Sequence, residues 1–322
     1  MTSSPISVVI CAYTLDRWEL LQASIRSVLA QRSESDEVIV VSDHNPKLLE
    51  LVRAAFPDVR AVANVNSTGL SGARNTGVAE ATGDIVAFLD DDAAADPGWI
   101  RELAAGYRDP RVQGVGGSIV PVWAGDRPRW FPEEFGWVVG CTYRGQPRTE
   151  AAVRNFIGAN MSFRRALFAR IGGFQARLGR VGARPVGGEE TELCIRAAAA
   201  DPTARFMLRP QAVVRHHVSM ERATLRYFIR RCFAEGLSKA VITRVAGQTA
   251  GLASERGYAT RTLPVGVLHG LRDVVRGDPW GVARAAAIIG GLAWTTAGYA
   301  VGLLRSGPRG PRPSEATTHP RM

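Results

Sequence analysis

Short apolar runs alternate with amphipathic segments over the first 90 residues of the chain. The runs are continuous and only a few residues long, which is typical of strands buried on both faces. They occupy residues 6–12, 37–41, 59–63 and 85–89. Helical segments separate them, at residues 17–30, 47–55 and 73–81. Because parallel strands need crossover helices that cover both faces of a sheet, this alternation predicts a mostly parallel α/β sheet flanked by helices.

Three aspartates, Asp90, Asp91 and Asp92, follow directly after the fourth of these runs. Adjacent carboxylates repel one another unless a cation lies between them, and open α/β sheets bind ligands at the carboxyl ends of their strands. The alternative is a solvated turn in which Asp92 or Asp96 caps a helix. Three acidic residues after a buried strand favour metal or phosphate chemistry over a cap.

The chain carries a formal net charge of +10, and arginine supplies most of the excess. Such a balance is typical of proteins that bind nucleic acid, an anionic membrane surface or phosphorylated substrates. No nucleic-acid-binding motif accompanies the charge, and the arginines are spread through helical segments. We therefore expect a membrane surface and nucleotide phosphates as partners, and no nucleic acid.

The four cysteines, Cys11, Cys141, Cys194 and Cys232, lie far apart and match no zinc-binding spacing. This pattern predicts a reducing, cytosolic setting. The chain leads from Pro5 straight into a strand and shows no signal-peptide pattern. We therefore expect the first half of the chain to stay in the cytosol.

The C-terminal part has a different composition. Residues 285–304 carry no charge, and a stretch of this length is long enough to span a bilayer. A buried or membrane-surface hairpin helix is the alternative. Residues 224–245 predict an arginine-rich amphipathic helix, typical of membrane surfaces, with a plain solvated face as the alternative. We expect a helical, membrane-associated extension, followed by a disordered tail at residues 307–322.

Five short segments, taken in order, resemble the family 2 glycosyltransferases of the GT-A fold. They are VVICAY at residues 8–13, VVSD at 40–43, GARNTG at 72–77, LDDD at 89–92 and GEETEL at 188–193. Each segment alone is weak evidence for the family, but the order and spacing of the five segments over the first 220 residues make the match specific. The C-terminal third lies outside the resemblance.

The resemblance implies a GT-A fold, a nucleoside diphosphate sugar donor, a divalent metal (Mn²⁺ or Mg²⁺) and inversion at the anomeric carbon. It assigns a set of residues to the nucleotide: Ala12, Tyr13, Asp43, Arg74, Asn75, Asp90 and Asp91. Asp43 takes the place of a base-recognising aspartate, which favours UDP without excluding other bases. Asp92 and His216 are assigned to the metal.

Glu190 matches the acidic position that serves as general base, with Glu189 as the neighbouring candidate. The family usually has an aspartate at the position of Glu190, so the choice between the two glutamates stays open. A carboxylate in a partly closed cleft near other anions has a raised pKa and can take the proton of an acceptor hydroxyl. The alternative is that both merely complement the dipole of a helix that starts there.

The acceptor side is assigned to Asn160, from a segment that borders the sugar in the family, and to Trp137, which could stack on a sugar or simply pack. The Gln-x-x-Arg-Trp signature of processive synthases is absent, which predicts a non-processive enzyme. We expect four regions: nucleotide-sugar binding at residues 1–118, acceptor and base at 119–222, membrane-associated helices at 223–306, and the tail.

Two enzyme classes of related architecture do not fit. A dinucleotide-dependent oxidoreductase needs a glycine-rich turn after the first strand, whereas residues 12–16 read AYTLD. A nucleotidyltransferase needs a glycine- and arginine-rich phosphate loop at the same place. The sequence thus predicts an inverting glycosyltransferase at the cytoplasmic face of a membrane, acting on a saccharide, lipid-linked or small-molecule hydroxyl. The alternative is a catalytically inactive, membrane-tethered protein that binds nucleotide sugars.

Overall fold

A computed structural model describes residues 4–176, 187–247 and 253–305 of the chain. Nine strands within these ranges form one sheet. They are β1 (Ile6–Ala12), β2 (Glu37–Ser42), β3 (Arg60–Ala63), β4 (Ile85–Asp90), β5 (Ala93–Ala95), β6 (Val112–Trp123), β7 (Ala151–Ala152), β8 (Asn160–Arg164) and β9 (Arg205–Val218). Their order is β3-β2-β1-β4-β8-β6-β9-β5, and β7 pairs with β9.

The first four strands pair in parallel, as the alternation of strands and helices predicts. The other half of the sheet is mixed, because β8 runs antiparallel to both β4 and β6 while β6 and β9 pair in parallel. Successive side chains of β1 belong to two different cores: Val8 and Ile10 pack on one face, and Val9 packs on the other. The sheet is therefore the wall between two apolar layers.

Helices cover both faces of the sheet. They are α1 (Trp18–Leu29), α2 (Pro46–Ala55), α3 (Leu70–Glu80), α4 (Trp99–Ala105), α5 (Arg165–Ile171) and α6 (Glu189–Ala200). The start of α2 follows from its sequence, because the Asn45 side chain accepts a hydrogen bond from the Leu48 amide and Pro46 occupies the first turn.

Strand β9 is continuous from Arg205 to Val218, where the sequence predicts two separate strands at 205–208 and 212–214. Its register with β6 shifts at one point: Gly117 pairs with Arg209, whereas the next residue, Ser118, pairs with Val213. Residues 210–212 are accommodated there without ending the strand. The pairing partner, which lies far away in sequence, keeps the two halves of β9 in line.

The C-terminal part is helical. It consists of α7 (Leu225–Ala246), α8 (Ala253–Gly257), a π-helical turn (Tyr258–Thr262), α9 (Leu263–Val275) and α10 (Trp280–Arg305). Helix α7 is a packing helix rather than a solvated or membrane-surface one, because Phe228 and Cys232 are fully buried in the main core. The predicted tail at residues 307–322 lies outside the described residues.

Helices α7 and α10 approach each other through glycines. A Cβ atom added at Gly298 would lie 2.0 Å from the Phe233 carbonyl oxygen, and one at Gly236 would lie 2.1 Å from the Thr295 carbonyl oxygen. Within the described residues, α10 is the one helix long and apolar enough to cross a membrane, and only 22% of its most apolar stretch is buried. The predicted apolar run therefore packs on both α7 and α9, and much of its remaining surface is exposed.

Candidate active site

A cleft of about 420 Å³ opens at the carboxyl ends of β1, β2 and β4. We call the side formed by these strand ends and the adjoining loops the floor. It comprises Cys11, Ala12, Tyr13, Arg17, Asp43, Thr68, Gly69, Leu70, Ala73 and Asp90–Asp92. The opposite side, the roof, comprises Ser219, Glu221, Arg222, Tyr227, Arg230 and Arg231.

Asp43 is held at one end of the floor by two hydrogen bonds. Its carboxylate accepts one from the Asn64 side-chain amide at 2.6 Å and one from the Gly69 backbone amide at 2.8 Å. Each carboxylate oxygen keeps a further lone pair for a ligand. Ala12 is buried, and its carbonyl oxygen accepts from the Asp43 amide, whereas Tyr13 is 46% exposed and the Arg17 guanidinium lies 5.6 Å from its ring centre. The floor thus presents a fixed anion and a partly exposed aromatic ring.

Asp90, Asp92 and His216 form a group whose potential ligand atoms all lie within 4.8 Å of one another. Pairing between β5 and β9 brings them together, because it places Ala93 opposite His216. The His216 Nε2 atom consequently lies 3.0 Å from the Asp92 Oδ1 atom. Two carboxylates and one imidazole suit a divalent metal, and the imidazole shifts the preference towards Mn²⁺.

Two arginines lie close to Asp91 and Asp92. The Arg17 Nη1 atom lies 3.0 Å from Asp91 and 3.2 Å from Asp92, and the Arg222 Nη2 atom lies 3.4 Å from Asp92. Burial raises the pKa of Asp91 to about 7, and the charge of Asp92 adds to that rise. Burial also opposes the charge of Asp92, but His216, Arg222 and Arg17 outweigh it and hold the pKa of Asp92 well below its usual value.

Arg74 lies behind the floor and is almost completely buried. Its Nη1 atom donates to Glu189 at 2.8 Å, and its Nη2 atom donates to the Gly158 carbonyl oxygen at 3.0 Å and lies 3.5 Å from Asp90. Removing one partner of such a buried pair leaves an uncompensated charge. Arg74 therefore joins the metal group to the start of α6.

Glu190 occupies the first turn of α6, next to Glu189, and is half-buried. Burial and the charge of Glu189 raise the pKa of Glu190 to about 8. Glu190 does not line the cleft itself, but it lies within electrostatic range of Arg74 behind the floor and of Arg231 in the roof. A half-buried carboxyl group with this pKa fits a general base that works near neutral to mildly alkaline pH.

Asn75 and Asn160 are among the sequence-predicted site residues that do not line the cleft, and their side chains bond elsewhere. The Asn75 side-chain amide exchanges two hydrogen bonds with the Phe174 backbone, at 2.7 and 2.8 Å. The Asn160 side chain is buried in the sheet, donates to the Ser118 and Ala212 carbonyl oxygens and accepts from the Trp99 indole. Asn160 thereby bridges the register shift between β6 and β9, so the structure uses its polar groups for folding.

Trp137 lies beside the roof rather than in the cleft. Its indole N–H donates to the Tyr258 hydroxyl at 3.2 Å, and the Arg231 guanidinium lies 5.8 Å from its ring centre. The roof arginines and Arg17 were missed as site residues. The only signal for the roof was the run of basic and aromatic residues at the start of α7, which the sequence interpretation assigned to a membrane surface.

The known proteins to which this chain is similar are glycosyltransferases. A family model described as glycosyl transferase family 2 matches residues 7–172. A relative from Haloferax volcanii, glucosyl-dolichyl phosphate glucuronosyltransferase, is 35% identical over 306 residues, which cover 93% of this chain and 96% of that protein. Pre-mycofactocin glycosyltransferase of Mycobacterium tuberculosis is 30% identical over 224 residues, covering 68% of this chain and 45% of that protein.

Two solved structures share the fold. The mannosyltransferase PcManGT from Pyrobaculum calidifontis, in complex with GDP-Man and Mn²⁺, aligns with a TM-score of 0.58 at 19% identity, over 91% of this chain and 87% of that chain. GalNAc-T7 with UDP, GalNAc and Mn²⁺ aligns with a TM-score of 0.52 at 18% identity, over 68% of this chain and 44% of that chain. These likenesses confirm the fold class predicted from the sequence.

Proposed function

Because the chain belongs to glycosyl transferase family 2 and is a glycosyltransferase, we propose that it moves a sugar from a nucleoside diphosphate sugar to a hydroxyl group of a lipid-linked acceptor. The observation that carries the acceptor assignment is the extent of the similarity to the Haloferax volcanii enzyme. That similarity covers 93% of the chain and so includes C-terminal helices that lie beyond the family match at residues 7–172.

The floor residues are placed to bind the nucleoside diphosphate sugar donor. Asp43 offers carboxylate lone pairs to an N–H group of the base, and the exposed ring of Tyr13 offers a face for stacking. A uracil base presents one such N–H group, so UDP is the favoured nucleotide. Asp90, which belongs to the metal group, and the adjacent Asp91 are proposed to face the ribose and the phosphates that follow the base.

Asp90, Asp92 and His216 would hold the divalent metal. A bound divalent cation supplies Lewis acidity that neutralises charge on a diphosphate leaving group. The Arg17 guanidinium lies 3.0 Å from Asp91 and 3.2 Å from Asp92, and that of Arg222 lies 3.4 Å from Asp92, so both groups are placed to add positive charge where the diphosphate leaves.

Glu190 is the proposed general base. It accepts the proton of the acceptor hydroxyl, whose oxygen then attacks the anomeric carbon on the face opposite the diphosphate, and this displacement inverts the configuration. Glu189 pairs with Arg74 at 2.8 Å, and its charge adds to the effect of burial in raising the pKa of Glu190. The missing Gln-x-x-Arg-Trp signature supports single transfers rather than processive elongation.

The C-terminal helices are proposed to hold the enzyme at the cytoplasmic face of a membrane. Helices α9 and α10 expose large apolar side chains, among them Leu268, Leu271 and Ile289. Apolar surface of this kind is stabilised in the headgroup and acyl region of a bilayer. A lipid-linked acceptor would be presented to the cleft from that surface.

The test is a transfer assay with the full-length protein, Mn²⁺ and a panel of UDP- and GDP-sugars, using short-chain prenyl phosphate sugars as acceptors. We expect a product from at least one UDP-sugar, with inverted anomeric configuration by NMR. Donor hydrolysis without transfer to any lipid-linked acceptor would contradict the acceptor assignment. Retention of configuration would contradict the assignment of Glu190.

A further inference from the structure

Cys141 is a free and fully buried cysteine that contacts the histidine of the metal group. Its Sγ atom lies 3.8 Å from the His216 Nδ1 atom and 3.7 Å from the Val139 carbonyl oxygen. Sulfur is larger than oxygen and is a weak donor and acceptor, so its hydrogen bonds are longer. The other ring nitrogen of His216, Nε2, lies 3.0 Å from the Asp92 Oδ1 atom. The imidazole is thus held between a carboxylate at one nitrogen and a thiol at the other.

Strand β6 holds both partners of the contact between thiol and imidazole. His216 pairs with Pro121 of β6 within the sheet. The turn that carries Cys141 is bound to the same strand, because the Thr142 amide donates to the Ile119 carbonyl oxygen at 3.0 Å. The Thr142 hydroxyl in turn accepts from the Ile119 amide at 2.8 Å. The position of the thiol relative to the histidine is therefore set by one strand.

The turn before Cys141 packs against the ring of His216, which is only 2% exposed. Gly140 has a φ of +78°, in the left-handed region that favours glycine, and a Cβ atom added there would lie 3.4 Å from the His216 Cε1 atom. The Cys141 amide donates to the Gly136 carbonyl oxygen at 3.0 Å, which closes the turn. The backbone thus leaves little space around the imidazole, and the thiol occupies the place beside Nδ1.

A thiol suits a histidine whose hydrogen-bonding role changes. A neutral imidazole has one N–H donor and one acceptor nitrogen. A metal takes the lone pair of Nε2, so the proton is then on Nδ1 and needs an acceptor. The Cys141 Sγ atom can accept it while the thiol hydrogen is donated to the Val139 carbonyl oxygen. When Nε2 instead donates to Asp92, the same thiol can donate to Nδ1.

We propose that Cys141 is a positioning residue for the metal: its thiol orients the His216 ring and accepts from Nδ1–H, so that Nε2 faces the metal beside Asp92. This inference rests on the metal assignment of the proposed function. A group that accepts from the second nitrogen of a metal-binding histidine fixes the ring and raises its basicity. Because carboxylates serve both Mn²⁺ and Mg²⁺ whereas imidazole favours Mn²⁺, Cys141 supports the preference for Mn²⁺.

The experiment measures metal binding to the full-length protein in saturating UDP. The EPR signal of free Mn²⁺ gives the Kd of Mn²⁺, and competition with Mg²⁺ gives the Kd of Mg²⁺. Wild type is compared with Cys141→Ala and Cys141→Ser. Cys232→Ala is the matched control, because Cys232 is a fully buried cysteine of the same core and stands outside the metal group.

We expect Cys141→Ala to raise the Kd of Mn²⁺ about tenfold, the lower end for such partners because a thiol is a weak acceptor. The Kd of Mg²⁺ should rise by a clearly smaller factor, since Mg²⁺ depends less on the imidazole. Cys141→Ser should keep the preference for Mn²⁺, because a hydroxyl group can also donate and accept. Cys141→Val, which likewise removes the hydrogen bond, supplies the same comparison if Cys141→Ala does not fold.

Three results would overturn the inference: an unchanged Kd of Mn²⁺ in Cys141→Ala, equal losses for both metals, or the same loss in Cys232→Ala. Equal losses would mean that the substitution damages the site as a whole. If wild type does not bind Mn²⁺, the metal group is refuted and this inference with it. Binding of Mn²⁺ by a wild type that transfers no sugar would refute the proposed transfer alone, so the two failures are distinguishable.

Discussion

The floor and the roof of the cleft differ in charge and in what holds them. Asp43 and Asp90–Asp92 make the floor predominantly acidic, and they stand at the ends of parallel strands that are buried on both faces. The roof is predominantly basic, and much of it is the first two turns of α7, whose position depends on packing against α10. Buried strands hold the floor in place, whereas a helix–helix contact sets the roof.

Because of this difference, we expect the floor and the roof to bind different parts of the substrates. A floor set by the sheet suits the part of the substrate that members of such a family have in common, the nucleotide. A roof that depends on helix packing suits the variable part, the sugar and the acceptor. Helical packing can shift without disturbing the sheet, so roof variants should change selectivity and floor variants should change donor binding.

Glu190 lies within electrostatic range of both Arg74 and Arg231, and its replacement should have the largest effect. We expect Glu190→Gln to lower kcat about 100-fold or more, because the amide cannot accept the acceptor proton. The Kd of UDP in Mn²⁺ should stay the same, since Asp43 and the metal group are untouched. Loss of donor affinity in calorimetry would contradict the separation of base and floor.

The pH dependence follows from the same carboxyl group. The pKa of Glu190 is raised from 4.5 to about 8, so its base form appears only as the pH rises through that value. We expect kcat to increase with pH up to about 8. The free energy of unfolding should fall between pH 4.5 and 8 through this group, because the unfolded chain releases the proton earlier.

A melting experiment checks the stability side of this prediction. Glu190→Gln should melt at a higher temperature than wild type at pH 9 and at about the same temperature at pH 4. Glu189→Gln should instead lower the melting temperature, because the buried Arg74 loses its closest carboxylate. It should also move the pH–rate profile to lower pH, since the charge of Glu189 raises the pKa of Glu190.

Within the floor, Asp92→Asn should raise the Kd of UDP in Mn²⁺ at least tenfold, because one of the three metal ligands is lost. EDTA should weaken UDP binding to wild type by a similar factor and have little further effect on the variant. Asp96→Asn is the control, as Asp96 pairs with Arg215 and does not line the cleft. Metal-independent binding of UDP by wild type would refute the metal group.

Glycine-to-alanine substitutions at two positions of α10 test whether the roof depends on the packing of α7 against α10. Gly298→Ala would place a methyl group 2.0 Å from the Phe233 carbonyl oxygen, so we expect a loss of about 1–3 kcal/mol in the free energy of unfolding. Gly290→Ala meets no atom within 4 Å and should stabilise the helix by about 0.5–1 kcal/mol. Denaturant melts measure both, and equal signs would contradict the packing argument.

The smallest effect is expected for substitutions of the exposed apolar side chains on α9 and α10. Leu268→Gln and Ile289→Gln should each lower binding to anionic lipid vesicles about fivefold in co-sedimentation, because each removes apolar area from the contact. Val65→Gln, equally apolar and exposed but next to the floor, should change nothing. Point substitutions are preferable to a truncation at Leu263, since Leu263 and Ile288 belong to the main core.

The fold class and the position of the acidic residues at strand ends were predictable from the sequence. Asp43 and Asp90–Asp92 end apolar runs that can only be buried strands, and parallel strands bring their carboxyl ends to one edge. Glu190 was found as a helix-start acid in a recognisable segment. The direction of a side chain was not predictable: Asn75 and Asn160 stand in matching segments, yet their amides bond to the backbone away from the cleft.

The sequence by itself determined the first four strands and the acids at the ends of two of them, because strand periodicity and strand ends are local properties of the chain. The tertiary structure alone decided which cations meet those acids. Arg17 reaches Asp91 across 74 residues, and Arg222 and His216 reach Asp92 only because β9 returns beside β5. Such contacts depend on the register between distant strands and on how closely two helices pack, and no local pattern in the sequence records either.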